Sequence, residues 1–203
     1  MPILFYLFFA TGNNTFSRLP VLTPNLPELP GWKSSNDSVL KLNNKITILG
    51  FPGKNLLKEK ANAYNLVSKI YDKNKTFNDF QVIFVIPQGM EADVAQVVSE
   101  LAPTTDMVHF NFAFAPEAEI QAYYKNLNLI GGLDENFGNS NVYIIDKERS
   151  LRGRKGMNNF GKEEYKEGYN TISAADLHNE MSDDVKVILA EYRLSLKKYN
   201  RKK

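Results

Sequence analysis

The chain contains no cysteine. That excludes disulfides, thiolate nucleophiles and cysteine-based zinc or iron–sulfur centres. It leaves the compartment open, because a disulfide-free protein can live on either side of a membrane. Histidine is nearly as scarce, with only His109 and His178 in 203 residues. Net charge is small, at +2, so there is no global electrostatic case for nucleic acid. No apolar run approaches the ~20 residues that a bilayer-spanning helix needs, and no segment repeats. What is present is ordinary globular composition, 43% hydrophobic and 12% aromatic, in a chain long enough for one domain with an extension.

The stretch KITILGFPG, Lys45 to Gly53, organises the rest. Ile46 to Phe51 is apolar and β-branched, as in a strand buried on both faces. Pro52-Gly53 breaks it, and Lys54 to Asp72 is predicted as a helix of roughly five turns. Ala61, Tyr64, Leu66, Val67, Ile70 and Tyr71 recur on one face of that helix. Phe80 to Pro87 is a second buried strand, and the pair with its helix makes a βαβ unit with parallel strands.

A second helix is predicted from Glu91 to Leu101. Met107 to Ala115 alternates, with Val108, Phe110, Phe112 and Phe114 on one face and Met107, His109, Asn111 and Ala113 on the other. Pro116 opens a short helix through Asn126. Asn141 to Asp146 reads as a strand, and Leu151 to Arg154 returns as a hairpin. Lys155 to Thr171 is expected to be a solvated loop. Ser173 can cap a closing helix from Asp176 to about Lys198. The order β-α-β-α-β-α-β-β-α predicts an α/β, thioredoxin-like fold, a central mixed β-sheet flanked by helices, with an N-terminal extension and hairpin.

The expected organisation has four parts. Residues 1–18 form an apolar N-terminal segment, 19–44 a proline-rich extension and hairpin, 45–199 the thioredoxin-like domain, and 200–203 a basic tail. Pro2 to Ala10 is apolar without a break, and three readings stay open: a buried strand, the end of a membrane anchor, or a degenerate signal sequence. Leu19 to Trp32 holds four prolines in fourteen residues, which forbids helix and favours extended backbone wrapped over a surface. Val39 to Leu42 is expected to make a short strand. The last seven residues carry five basic groups, which could touch anionic lipid or simply fray into water.

The stretches ITILGFPG, QVIFVIP, NVYIIDKERSLRGRKG and DLHNEMSDDVKVILAEY together resemble the Sco/SenC branch of thioredoxin-like proteins. LPVLTPNLPEL resembles the Leu-Pro segment that joins a membrane anchor to the domain in such proteins. The resemblance implies copper binding by a Cys-x-x-x-Cys pair after the first strand and by a distal histidine, with a role in assembling cytochrome oxidase. In this chain the cysteine positions fall near Asn55 or Leu56 and near Glu59 or Lys60. The histidine position falls near Gly138 or Asn139. None of these is a soft copper ligand, so copper and thiol chemistry are not carried over and no cofactor is expected.

What the resemblance leaves is a non-catalytic binding or assembly factor, and the partner it implies is a protein of respiratory-complex assembly. It also implies a membrane anchor and an extracytoplasmic location, with a cytoplasmic one as the alternative. The expected binding face is Pro52 to Lys60 with Asp134 to Asn141, in particular Pro52, Lys54, Asn55, Leu56, Glu59, Lys60, Gly138 and Asn139. The competing readings are an enzyme or small-molecule binder using polar residues other than cysteine, and a soluble interaction module.

Other constellations read as structural. His109 beside Met107 could suggest a copper site, but a half-buried strand histidine is the plainer account. Neither histidine has a nucleophile in a recognisable context such as Gly-x-Ser-x-Gly. Asp134-Glu135, Glu163-Glu164 and Asp183-Asp184 are adjacent pairs whose side chains diverge, as solubilising charge does. The glycines match no phosphate-loop spacing. Arg149, Arg152, Arg154 and Lys155 read as a solvated basic hairpin.

Overall fold

The computed structural model describes residues 18–34, 38–158 and 161–200. Pro2 to Ala10 and the end of the basic tail lie outside the described residues. Two short strands come first, β1 (Val21–Thr23) and β2 (Lys33–Ser34). The apolar runs follow as β3 (Ile46–Pro52), β4 (Phe80–Pro87) and β5 (Phe110–Ala115). Then come β6 (Gly138–Ile145), β7 (Leu151–Arg152), β8 (Arg154–Met157), β9 (Glu163–Lys166) and β10 (Tyr169–Asn170).

Helix α1 (Lys60–Leu66) continues through a π-helical turn (Val67–Tyr71) and a last turn (Asp72–Asn74). Helices α2 (Glu91–Leu101) and α3 (Glu117–Asn126) follow β4 and β5. Helix α4 starts at Ala174–Asp176, passes through a second π-helical turn (Leu177–Met181) and runs on as Ser182–Asn200. Ser173 caps it, its hydroxyl accepting from the Asp176 N–H at 3.1 Å.

The main sheet is mixed, in the order β1-β7-β6-β3-β4-β5-β2, with β10 pairing β6. Strands β3, β4 and β5 are parallel, and β6 is antiparallel to β3. Because β3 and β4 are apolar at nearly every position, each face of the sheet buries its own core. One core packs Ile48, Val82, Phe84 and Phe112 under α1, α2 and α4. The other packs Leu49, Phe51, Ile83 and Tyr143 under α3 and the proline-rich extension, whose Leu26, Leu29 and Trp32 are buried. The extension crosses that face and supplies a strand at each edge, β1 at one and β2 at the other.

Several expectations are corrected. Helix α1 begins at Lys60, six residues later than predicted, because Gly53 takes a left-handed φ of +64° and the Lys54 N–H is donated to the Asn136 carbonyl at 2.9 Å. Those two features divert Gly53–Asn55 into a single 3₁₀ turn. The Val39–Leu42 strand reduces to one bridge, Val39 to Lys33. Val108 lies before β5 and is exposed, because the strand starts at Phe110.

The predicted loop from Lys155 to Thr171 instead contains β8, β9 and β10. Part of the charge here pairs with α4, while Lys155, Lys162 and Glu163 stay exposed. Arg154 donates to Asp184 at 2.7 Å, and Lys166 reaches Glu180 at 2.9 Å and Asp176 closer still. The basic hairpin is solvated only in part: Lys155 is exposed, but Arg152 is not. Arg152 is 6% exposed and donates to Asp146, to Glu191 and, through Nε, to the Leu19 carbonyl. Asp184, expected as solubilising charge, is buried, whereas Asp183 is exposed beside Lys186.

Candidate functional site

Parallel strands of an α/β sheet present their carboxyl ends to a crevice where ligands bind. Here that end of β3 meets the loop leading into β6. Gly53 is indispensable to the meeting, since a Cβ there would lie 2.4 Å from the Asn136 carbonyl and 2.6 Å from the Gly138 nitrogen. Asp134 closes the opposite loop, with Oδ1 accepting from the N–H groups of Asn136 at 2.9 Å and Gly138 at 2.7 Å.

Between the two loops lies an open cleft of about 390 Å³. Pro52, Asn55 and Glu59 form one wall, and Asp134, Gly138 and Asn139 form the other. Gly132, Leu133 and Ser140 complete the lining. A second cleft, of about 420 Å³, adjoins it through Gly132 and Leu133 and reaches Tyr124 and Lys125 on α3.

Asn139 is held from inside the protein. Its Nδ2 donates to the Gly132 carbonyl and to the Tyr124 hydroxyl, both at 2.9 Å, and its Oδ1 accepts from the Asn141 N–H at 2.8 Å. A carbonyl only accepts, so the amide orientation is fixed by chemistry. The Tyr124 hydroxyl, accepting from Asn139, is also hydrogen-bonded to the Tyr143 hydroxyl 2.9 Å away. Burial pushes the phenols of Tyr124 and Tyr143 upward, so both stay neutral donors. Edge-to-face packing of Phe51 on Tyr124, with ring centroids 5.1 Å apart, fixes the pair.

Five of the residues anticipated for the face thus line one cleft: Pro52, Asn55, Glu59, Gly138 and Asn139. Three lie elsewhere. Leu56 turns into the core and is 2% exposed. Lys60 pairs with Glu100 at 2.6 Å, away on α2. Lys54 pairs with Glu117 at 2.5 Å and sits 5.2 Å over the Phe137 ring, which pins the Asn136–Gly138 turn to α3. Tyr124, Gly132 and Leu133 escape sequence reasoning, because only the fold brings α3 and its following loop to Asn139.

The residues present do not fit copper. The lining offers amide, carboxylate, hydroxyl and backbone groups, and no thiolate, thioether or imidazole. Among the described residues no three His, Asp or Glu side chains converge to hold any metal ion. His109 stands before β5, where its N–H donates to the Tyr71 hydroxyl, and His178 lies 3.4 Å from the Lys73 ammonium. Among the described residues no helix is long and apolar enough to cross a membrane.

No family model and no curated protein sequence matches the chain. Solved structures do. A SCO1/SenC family lipoprotein from Bacillus anthracis str. Ames matches with a TM-score of 0.58 and 14% identity, over 84% of this chain and 99% of that one. BsSco, a member of the Sco family of cytochrome c oxidase assembly proteins, matches with a TM-score of 0.56 and 11% identity, over 84% and 98%. A thioredoxin family thiol:disulfide interchange protein from Chlorobium tepidum TLS matches with a TM-score of 0.51 and 14% identity, over 84% and 99%. The fold is thioredoxin-like, and the structures that it resembles include those of Sco/SenC proteins.

Proposed function

We propose that this thioredoxin-like chain is a divergent, cysteine-free Sco/SenC-type protein that works by binding a protein partner. Its role is that of a non-catalytic assembly factor, with copper and thiol chemistry lost and the partner a component of respiratory-complex assembly. The observation that carries this reading is the cleft at the carboxyl end of β3. Its walls keep an open, well-braced shape while offering no soft ligand and no thiol nucleophile. The fold likeness to BsSco and to the B. anthracis lipoprotein supports the family, and fold alone does not carry function.

The same reading places the protein on a membrane, facing away from the cytoplasm. Pro2 to Ala10 supplies an apolar lead, and one similar structure is that of a lipoprotein. The basic tail offers a second contact with anionic lipid.

Affinity purification of the tagged full-length chain from membrane and soluble fractions of its native cells tests the reading. Recovery from membranes together with oxidase subunits or other assembly factors is the expected result. Recovery alone from the soluble fraction would leave only a shared fold. Combined replacement of Lys54, Glu59 and Asn139 is expected to abolish the partner's recovery, and intact recovery would move the binding face elsewhere.

A further inference from the structure

The cleft is lopsided in its hydrogen bonding. Asn139 spends both amide hydrogens inside the chain, on Gly132 and Tyr124, while its Oδ1 has one internal partner and room for a second. Toward a ligand it can only accept. That fact is independent of the carboxylates, and they agree with it. Asp134 uses Oδ1 for its turn and leaves Oδ2 without a hydrogen-bond partner among the described residues. Glu59 is exposed, with one bond, 3.3 Å from the Asn62 amide.

No Lys, Arg or His lines the cleft. Of the lysines in this segment, Lys54 and Lys60 pair with Glu117 and Glu100, and the exposed Lys58 does not line the cleft. Leu133, half-buried on the rim, offers an apolar wall of the kind along which a long aliphatic stem lies.

We propose that this cleft takes the cationic head of an arginine or lysine side chain from the protein partner, seated between Glu59, Asp134 and Asn139. The proposal rests on the reading of the cleft as the partner-binding face and names the chemistry recognised there. A guanidinium presents donors only, and so matches a site whose fixed amide and free carboxylate oxygens accept.

Titration of the full-length, isotope-labelled protein with N-acetyl-arginine amide, followed by NMR, tests it. The expected result is a saturable shift of the Asn139 side-chain amide and of the Gly138 and Ser140 backbone signals, weakening as salt is raised. N-acetyl-citrulline amide, which has the shape without the charge, is expected to bind about tenfold more weakly. N-acetyl-lysine amide separates a fork-shaped site from a simple cation site. Glu59→Gln, at an exposed position that leaves the fold intact, is expected to weaken arginine binding severalfold. Absence of saturable shifts at the cleft overturns the proposal, and so do equal shifts with N-acetyl-glutamate amide.

The two readings fail separately. If wild type and Glu59→Gln capture the same membrane partner equally well, the cation site is wrong and the assembly role stands. If the arginine probe seats in the cleft and no partner co-purifies, the cleft chemistry stands and the assembly role falls.

Discussion

The Nε–H of Arg154 donates to Oδ2 of Asp184 at 2.7 Å, across thirty positions of sequence, and ties the β8–β9 hairpin to α4. The hydroxyl of Tyr169 donates to the same oxygen at 2.5 Å. Removing Asp184 therefore orphans two donors at once, one of them the fully buried Tyr169 hydroxyl. Asp184→Ala is expected to cost about 3 kcal/mol of stability, measured by urea unfolding. A loss below about 1 kcal/mol would mean that water reaches both donors.

Two glycines on the site's loops should differ in their response to alanine. At Gly53 the left-handed φ alone costs an alanine about 1–2 kcal/mol. The Asn136 carbonyl, 2.4 Å from the new Cβ, is backbone and cannot step aside. Gly53→Ala is expected to exceed that cost and to broaden the NMR signals of Asp134 to Asn139. Gly132 has open space around its Cβ position and no positive φ, so Gly132→Ala should fall within about 1 kcal/mol of wild type. Equal losses in both variants would refute the account of the loop contact.

Alkali should unfold the protein through its buried phenols. Burial first, and then the neighbouring Asp184, raise Tyr169 above the ordinary value of 10.0; burial and the Tyr124 hydroxyl do the same to Tyr143. With the folded pKa above the unfolded one, the phenols' contribution to stability is full below about pH 10 and is lost as pH climbs beyond it, because the unfolded chain loses the proton first. Urea midpoints measured across that range, with phenolate absorbance read in parallel, check the sign. Phenolate forming in step with the exposed tyrosines, without unfolding, would contradict it.

Trp32 anchors the proline-rich extension and is the chain's single tryptophan. It is 5% exposed, meets the Tyr123 ring edge-on at 5.3 Å, and donates from Nε1 to Glu119 at 2.7 Å. Trp32→Ala is expected to cost about 3–5 kcal/mol. Trp32→Phe should cost about 1 kcal/mol, since the exposed Glu119 regains water. Tryptophan fluorescence in the wild type should resist aqueous quenchers until global unfolding. Quenching before that point would mean that the extension lifts off by itself.

Elements held by their own apolar pattern were readable from sequence to the residue. Phe80–Pro87 and Glu91–Leu101 match their predicted bounds, and Pro116 stands just before Glu117–Asn126 as its chemistry requires. Elements held by distant charge were not. β8 and β9 bury no apolar side chain, Met157 and Tyr165 being exposed, and their reason to exist, Asp184, Glu180 and Asp176, lies on another element. The late start of α1 depends on a backbone contact between Lys54 and Asn136 that no local signal announces. At the cleft the same division holds. Pro52, Asn55 and Glu59 follow from the strand-to-helix break, but Tyr124 reaches Asn139 only through the packing of α3. Leu56 illustrates a different blindness: one residue of register in a tight turn separates a surface position from a core one.

The extension that carries Leu26, Leu29 and Trp32 across one face also ends in the strands that close both margins of the sheet. Unpaired strand margins are templates for pairing with other chains, and an uncovered apolar face adds adhesion. One strip of backbone therefore guards against three routes to self-association, and they are not independent. A single proteolytic nick between β1 and β2 would open them together, so damage at that strip should convert the protein to aggregates in one step instead of loosening it by degrees.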